Sequence, residues 1–337
     1  MTPRDAVLAA IRHEEVRPVP YTLAFEGDVV ARRLDEHFGS SDWRSRLTNY
    51  MTVCGVVETV HAEKVDDVYT QDAYGIRWRH DRPKVVLEPT FTHYDWGGYH
   101  FPEPQVFLDE ARKEAARQAF AAKAQTFRVA NIGWGIFEHS WRIRGFEQAL
   151  IDAALEPDFY QELLNKLTRN YLAFTEYAAD LECDAIFYGD DWGYQNGVIL
   201  GPERWRKLVK PCWARVYQAA HAQGRIVMSH CCGSVADIMD DIVEIGLDVL
   251  ESVQPEADGM NPYELKRRYG RRIALWGGLG SQSLVPFGTP AQLQAEIARL
   301  ASEMGRGGGY ILAPAKPLQA DTPLANALAI LEAFTRQ

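Results

Sequence analysis

From about residue 105 onward the chain alternates short apolar runs with helix-like stretches, and this rhythm restricts the folds open to it. The runs are FRVANIG (127–133), DAIFYGDD (184–191), Ile226 to Ser229, DVLESV (248–253), RIALWGG (272–278) and GGYILAP (308–314). Between and around them, helical periodicity occupies 108–124, 146–155, 158–181, 202–223, 235–245, 262–269, 290–304 and 323–335. Short strands separated by helices make parallel sheets with crossover connections. An early run, VPYTLAF (19–25), and a strand expected in the 52–70 region bring the count to about eight, the number that closes a barrel. We therefore expect an α/β protein, a (β/α)8 TIM-type barrel, in preference to an open doubly wound sheet. The glycines of WGGLGS and GRGGG lack the G-x-G-x-x-G spacing between strand and helix, which argues against a nicotinamide site.

The first third has a different texture. Thr2 can cap a first helix that runs to about His13, with Pro3 in its first turn. Helical periodicity without an internal proline continues over 28–38 and 42–60. Then VYTQDAYGIRWRH and KVVLEPTFTHYDWGGYHF alternate aromatics with turn residues, as β-hairpins do. We read 66–104 as a β-hairpin insertion in one barrel domain spanning 1–337.

Net charge excludes one class of function. Forty-six acidic against 36 basic residues leave a formal charge of −10, so no basic surface is set up for a phosphate backbone. The basic run from Arg77 to Lys84 reads as a solvated loop. No segment reaches the ~18–20 uninterrupted apolar residues of a membrane span, and the charged, amphipathic N-terminus is unlike a signal peptide. Five cysteines, an odd number without scaffold spacing, point to a cytoplasmic protein with reduced thiols. Cys54, Cys183 and Cys212 fall at packing positions.

In a parallel barrel the chemistry sits at the carboxyl ends of the strands. Those ends carry Glu26 and Asp28; Asn131 and Trp134; Asp190, Asp191 and Trp192; His230 and Cys232; Glu251 and Gln254; Trp276; and Lys316. In RIVMSHCCGS the residues His230 and Cys232 are one apart, so an extended backbone puts both on one face with Cys231 opposite. His-x-Cys is half of a zinc site, and Cys231, Asp190, Asp191 and Glu251 are the donors near enough along the rim to extend it. Adjacent Asp190 and Asp191 cannot both face the pocket. Either could move a proton, hold a cation or complete a metal shell. Arg142 and Arg144, with Glu138 nearby, offer guanidinium forks for a substrate carboxylate. Trp134, Trp192 and Trp276 suit a flat apolar ligand.

FYGDDWG, SHCCGS, LDVLESVQPEA, LWGGLGSQSLVPFGTP and GGGYILAPAKPLQADTP occur in that order, and together they resemble the uroporphyrinogen decarboxylase superfamily. The resemblance runs from about residue 125 to the end and implies a (β/α)8 barrel. It also implies one of two chemistries. The haem-pathway decarboxylases use no cofactor and grip a tetrapyrrole with an early arginine-rich motif, whereas the corresponding segment here is PYTLAFEGDVV. The other branch moves methyl groups between a corrinoid and a thiol, with zinc held by a His-x-Cys pair and a later cysteine. His230 and Cys232 match the pair. The later loop reads LAPAKPL and places Lys316 there, an ammonium with no lone pair to donate.

The expectation is a zinc-assisted methyltransferase working with a corrinoid-binding partner or a small methylated substrate. The expected metal ligands are His230, Cys232 and Glu251, and the expected catalytic residues Asp190, Asp191, His230 and Lys316. Glu26, Asn131, Trp134, Arg142, Trp192, Gln254 and Trp276 are expected to contact substrate. The alternatives are a metal-independent lyase, with Arg142, Arg144 or Lys316 gripping a small carboxylate and Asp190 or Asp191 handling the proton, and a non-catalytic binding barrel.

Overall fold

The computed structural model describes residues 1–58, 62–80, 90–91, 93–94 and 96–337. After β1 (Met51–Gly55) come three short strands, β2 (Ala62–Lys64), β3 (Tyr69–Asp72) and β4 (Arg77–Arg79), paired antiparallel. The chain returns at β5 (Phe127–Gly133) and β6 (Ala185–Gly189), and then makes a small ladder of β7 (Gly193–Tyr194) and β8 (Gly197–Val198). It continues through β9 (Ile226–His230), β10 (Val249–Val253), β11 (Ala274–Leu279) and β12 (Tyr310–Pro314). Seven of these strands form one sheet in the order β1-β5-β6-β9-β10-β11-β12, with every pair parallel. This is a TIM-type fold.

The eighth position differs from expectation. Residues 19–25 do lie beside β12, through backbone bridges of Tyr21 to Leu312 and Phe25 to Leu318. Thr22 donates its N–H to the Leu312 carbonyl, and Leu312 donates to that of Pro20, each at 2.9 Å. A regular strand does not form, because Pro18 and Pro20 have no N–H to give a ladder. Side chains link the segment onward towards β1. The Thr48 N–H donates to the Tyr21 hydroxyl at 2.9 Å, and the rings of Tyr21 and Tyr50 meet edge to face at 5.2 Å.

Two helical expectations are corrected. The described part of the stretch 42–60, residues 42–58, is not a helix: a short 3₁₀ turn, Asp42–Arg46, gives way to β1, whose Met51 registers with Phe127 of β5. Met-Thr-Val-Cys is compatible with either period, and sheet pairing decides it. Conversely, Ile136–Arg144 is a helix where the sequence reading assigned no element. Most of its residues are buried, so no polar face produces a visible period. In the β-rich stretch, residues 81–89, 92 and 95 lie outside the described residues, and with them most of KVVLEPTF and the end of the Arg77–Lys84 run.

The helices on the outside bury one stripe each. In the helix Pro157–Ala179 the buried residues Tyr160, Leu163, Leu164, Leu167, Tyr171 and Phe174 recur at three- and four-residue intervals. No described helix is long and apolar enough to cross a membrane.

One polar group ties sheet to helices at the candidate rim. Asp190, just past β6 and fully buried, accepts N–H bonds from Phe137 (3.1 Å) and Glu138 (2.9 Å), at the start of the Ile136–Arg144 helix. It also accepts the indole N–H of Trp192 (2.8 Å) and of Trp213 (2.7 Å). The approach is close enough that a Cβ on Gly135 would lie 2.3 Å from the Asp190 side chain and the Gly189 carbonyl. Removing the carboxylate strands four buried donors, each costing about 1–3 kcal/mol. Asp190→Ala is therefore expected to lose about 3 kcal/mol or more of unfolding free energy in denaturant titration. A loss below about 1 kcal/mol would contradict this role.

Candidate active site

The site begins with strand register. In β6, β9, β10 and β11, Gly189, His230, Glu251 and Trp276 are direct neighbours across three parallel pairs. Register neighbours point to the same side of a sheet, so one row carries an imidazole, a carboxylate and an indole. Gly189 adds no side chain to the row, and a Cβ there would already touch the His230 Cβ at 3.9 Å.

The imidazole of His230 is held on both nitrogens. Nδ1 makes a short hydrogen bond to a Glu251 carboxylate oxygen, and Nε2 lies 3.4 Å from Asp191 Oδ1. Asp191 Oδ1 also accepts the backbone N–H of Cys232 at 2.9 Å, which ties the SHCCGS turn to the end of β6. Ligand atoms of Asp191, His230 and Cys232 all lie within 4.8 Å of one another. These three could hold a metal ion. Glu251, expected in that shell, stands behind His230 instead, where a carboxylate on Nδ1 orients the ring and leaves Nε2 for the other donors. Burial opposes the imidazolium form of His230. The charge of Glu251, hydrogen bonds to Cys232 and Glu251, and the charge of Asp191 outweigh it and hold the pKa well above 6.5.

A cavity of about 950 Å³ opens against this row. Of the expected site residues, Glu26, His230, Glu251, Trp276 and Lys316 line it. Sequence reasoning missed Arg44, Thr48, Asn49, Phe187 and Gln319. Phe187 alternates inward along β6 and was legible in principle. Arg44 to Asn49 lie in the stretch misread as helix.

Other expected residues lie elsewhere. Asp190 has no face on the cavity: burial first, then the charge of Glu138, pushes its carboxyl up to about 7 against the N–H donors that favour its charge. Trp192 is buried against Trp205, Asn131 accepts the Gly133 N–H (2.9 Å), and Gln254 accepts the Gly233 N–H (3.2 Å). Cys231 is fully buried and accepts the Trp192 N–H at 3.2 Å.

Arg144 is a core residue, ion-paired at 2.6 Å with Asp152 where both side chains are inaccessible, and it also binds the carbonyls of Phe91 and His93. Arg142 is buried over the Trp134 ring and 3.4 Å from Glu138, and burial lowers its pKa to about 10. Neither arginine lines the cavity, so the expected guanidinium grip on a substrate there is corrected. Glu138 is the group whose weight was underestimated. Burial and the charge of Asp191 raise its carboxyl, although Arg142 and His230 pull it down.

A family model for uroporphyrinogen decarboxylase (URO-D) matches residues 139–337, the part that carries Asp191, His230, Cys232, Glu251, Trp276 and Lys316. The uroporphyrinogen decarboxylase of Neisseria meningitidis serogroup C is 24% identical over 159 residues, 46% of this chain and 42% of that relative. That of Neisseria gonorrhoeae is similar to the same extent, 24% over 159 residues. The match thus spans less than half the length of these curated relatives. Among solved structures, a methyltransferase from Methanosarcina mazei superposes with a TM-score of 0.71 at 18% identity, over 99% of this chain and 98% of that one. At that identity the likeness is one of fold.

The His230 environment is directly testable. In metal-free protein, an NMR titration should find the His230 ring still protonated above pH 6.5, and Glu251→Gln should move its pKa down by removing the stabilising charge. A wild-type ring that titrates at or below pH 6.5 would contradict the assignment.

Proposed function

The chain belongs to the uroporphyrinogen decarboxylase family, and from that premise we propose that it is a methyltransferase using zinc at Asp191, His230 and Cys232. The observation that carries the reading is the convergence of these three donors at the strand ends, with Glu251 locking the ring behind them. One thiol, one imidazole and one carboxylate are donors zinc accepts, and three protein ligands leave a position open for a substrate. Asp191 supplies the third ligand that the missing later cysteine does not. Lys316, in that cysteine's loop, faces the cavity instead.

Zinc bound there would lower the pKa of a thiol or polarise a methyl-bearing heteroatom. The protein's own part is positional. Glu251 accepts a hydrogen bond from Nδ1–H, so the Nε2 lone pair can point to the side of Asp191 and Cys232. The Cys232–Asp191 backbone bond fixes the two anionic donors together. Trp276 and Phe187, with ring centroids 5.7 Å apart, shield one wall of the cavity from water. The cavity would hold the small methylated substrate or acceptor, and a corrinoid on a partner protein would supply the other methyl carrier. The methyltransferase from Methanosarcina mazei, which shares the fold, supports this branch. The lyase alternative loses two of its three carboxylate grips, because Arg142 and Arg144 lie off the cavity, and keeps Lys316.

Metal analysis of protein purified without chelator should find about one zinc per chain. His230→Ala, Asp191→Ala and Cys232→Ser should each reduce bound zinc by about tenfold or more, with folding retained by circular dichroism. Wild-type protein without stoichiometric zinc, or variants that keep it, would sink the proposal.

A further inference from the structure

The cavity contains five ionisable side chains besides its tyrosine, and four of them are engaged by protein partners. Arg44 is paired with Asp35, His230 and Glu251 with each other, and Glu26 accepts from Gln319 at 2.7 Å. The fifth is Lys316. It is half-buried, and among the described residues its ammonium has neither a hydrogen bond nor an ion pair. A cation partly withdrawn from water without a counter-charge is unfavourable. An anionic group on a bound ligand relieves that cost, and a charge-assisted hydrogen bond is among the stronger polar contacts.

The walls point to the rest of the ligand. Tyr21, Phe25, Phe187 and Trp276 face the same space. The Trp276 ring is held in its plane by an N–H bond to Thr22 Oγ1 at 2.8 Å. Rigid ring faces favour a flat apolar body that can stack or pack edge-on. We propose that the substrate is an aromatic carboxylate whose anionic group is bound by Lys316, and that Lys316 is the residue that selects it over neutral analogues. This deepens the reading of the cavity as the substrate site, and it accounts for a lysine where a second thiolate would otherwise complete a metal shell.

Calorimetric titration of the metal-free, full-length protein, prepared with EDTA, tests this with 4-methoxybenzoate, the neutral 4-methoxybenzamide and the aliphatic hexanoate. The benzoate should bind about tenfold or more tighter than the amide. Lys316→Met should abolish that ratio while leaving amide binding unchanged, and Lys316→Arg should keep the preference for the anion. Hexanoate should bind more weakly than the benzoate. Equal affinity for benzoate and amide, no binding of either, or a preference that survives Lys316→Met overturns the proposal. Hexanoate binding as tightly as the benzoate overturns its aromatic part. Because zinc is absent and no methyl transfer is scored, failure here leaves the metal assignment standing. Loss of the metal assignment, in turn, leaves the affinity ratio intact.

Discussion

Parallel hydrogen bonding between β9, β10 and β11 aligns His230, Glu251 and Trp276 in one row, and the rest of the candidate site depends on that row. Backbone pairing fixes the spacing of neighbouring strands at about 4.8 Å, which brings an imidazole and a carboxylate into hydrogen-bond contact without a flexible loop. Once Nδ1 is engaged by Glu251, Nε2 has one direction left, towards Asp191 and Cys232. The same row turns Trp276 into a wall of the cavity. A slip of one residue in either pairing would send these side chains to the opposite face.

The two adjacent aspartates divide the work because neighbouring extended residues point in opposite directions. Asp190 goes inward and spends its oxygens on two backbone amides and two indoles. Asp191 is left at the rim, half-exposed, where it meets His230 and the Cys232 amide. The buried carboxylate therefore positions the reactive region in two ways: it anchors the Ile136–Arg144 helix and sets the orientation of its neighbour.

Glu138, on that same helix, carries a buried carboxyl that feels both Asp191 and His230. Three carboxylates thus surround one histidine, and its raised pKa follows from two of them, Glu251 and Asp191. A metal ion at the cluster would balance the excess of negative charge, whereas an isolated set of this kind keeps a proton on the ring. In the same cavity, Lys316 brings positive charge among ionisable groups that already have protein partners.

The strands of the parallel sheet from residue 127 onward and most of the helices between them were legible in the sequence, because burial on both faces leaves short apolar runs and the crossovers keep a 3.6-residue stripe. The His230–Cys232 spacing was legible too, since it is a local property of an extended backbone. What the sequence could not contain was long-range: which carboxylate would meet which nitrogen of His230, and which arginines would be swallowed by the core. Glu251 and Asp191 are equally acidic on paper, and only strand register sends one to Nδ1 and the other to the Nε2 side. Arg144 reads as a free guanidinium until Asp152 and two carbonyls enclose it. The prolines that break residues 19–25 act the same way, because a missing N–H matters only once the chain lies beside β12. Local pattern determined the residue types available at the rim. Tertiary packing decided their partners, because hydrogen bonds and desolvation depend on groups that are far apart in the chain.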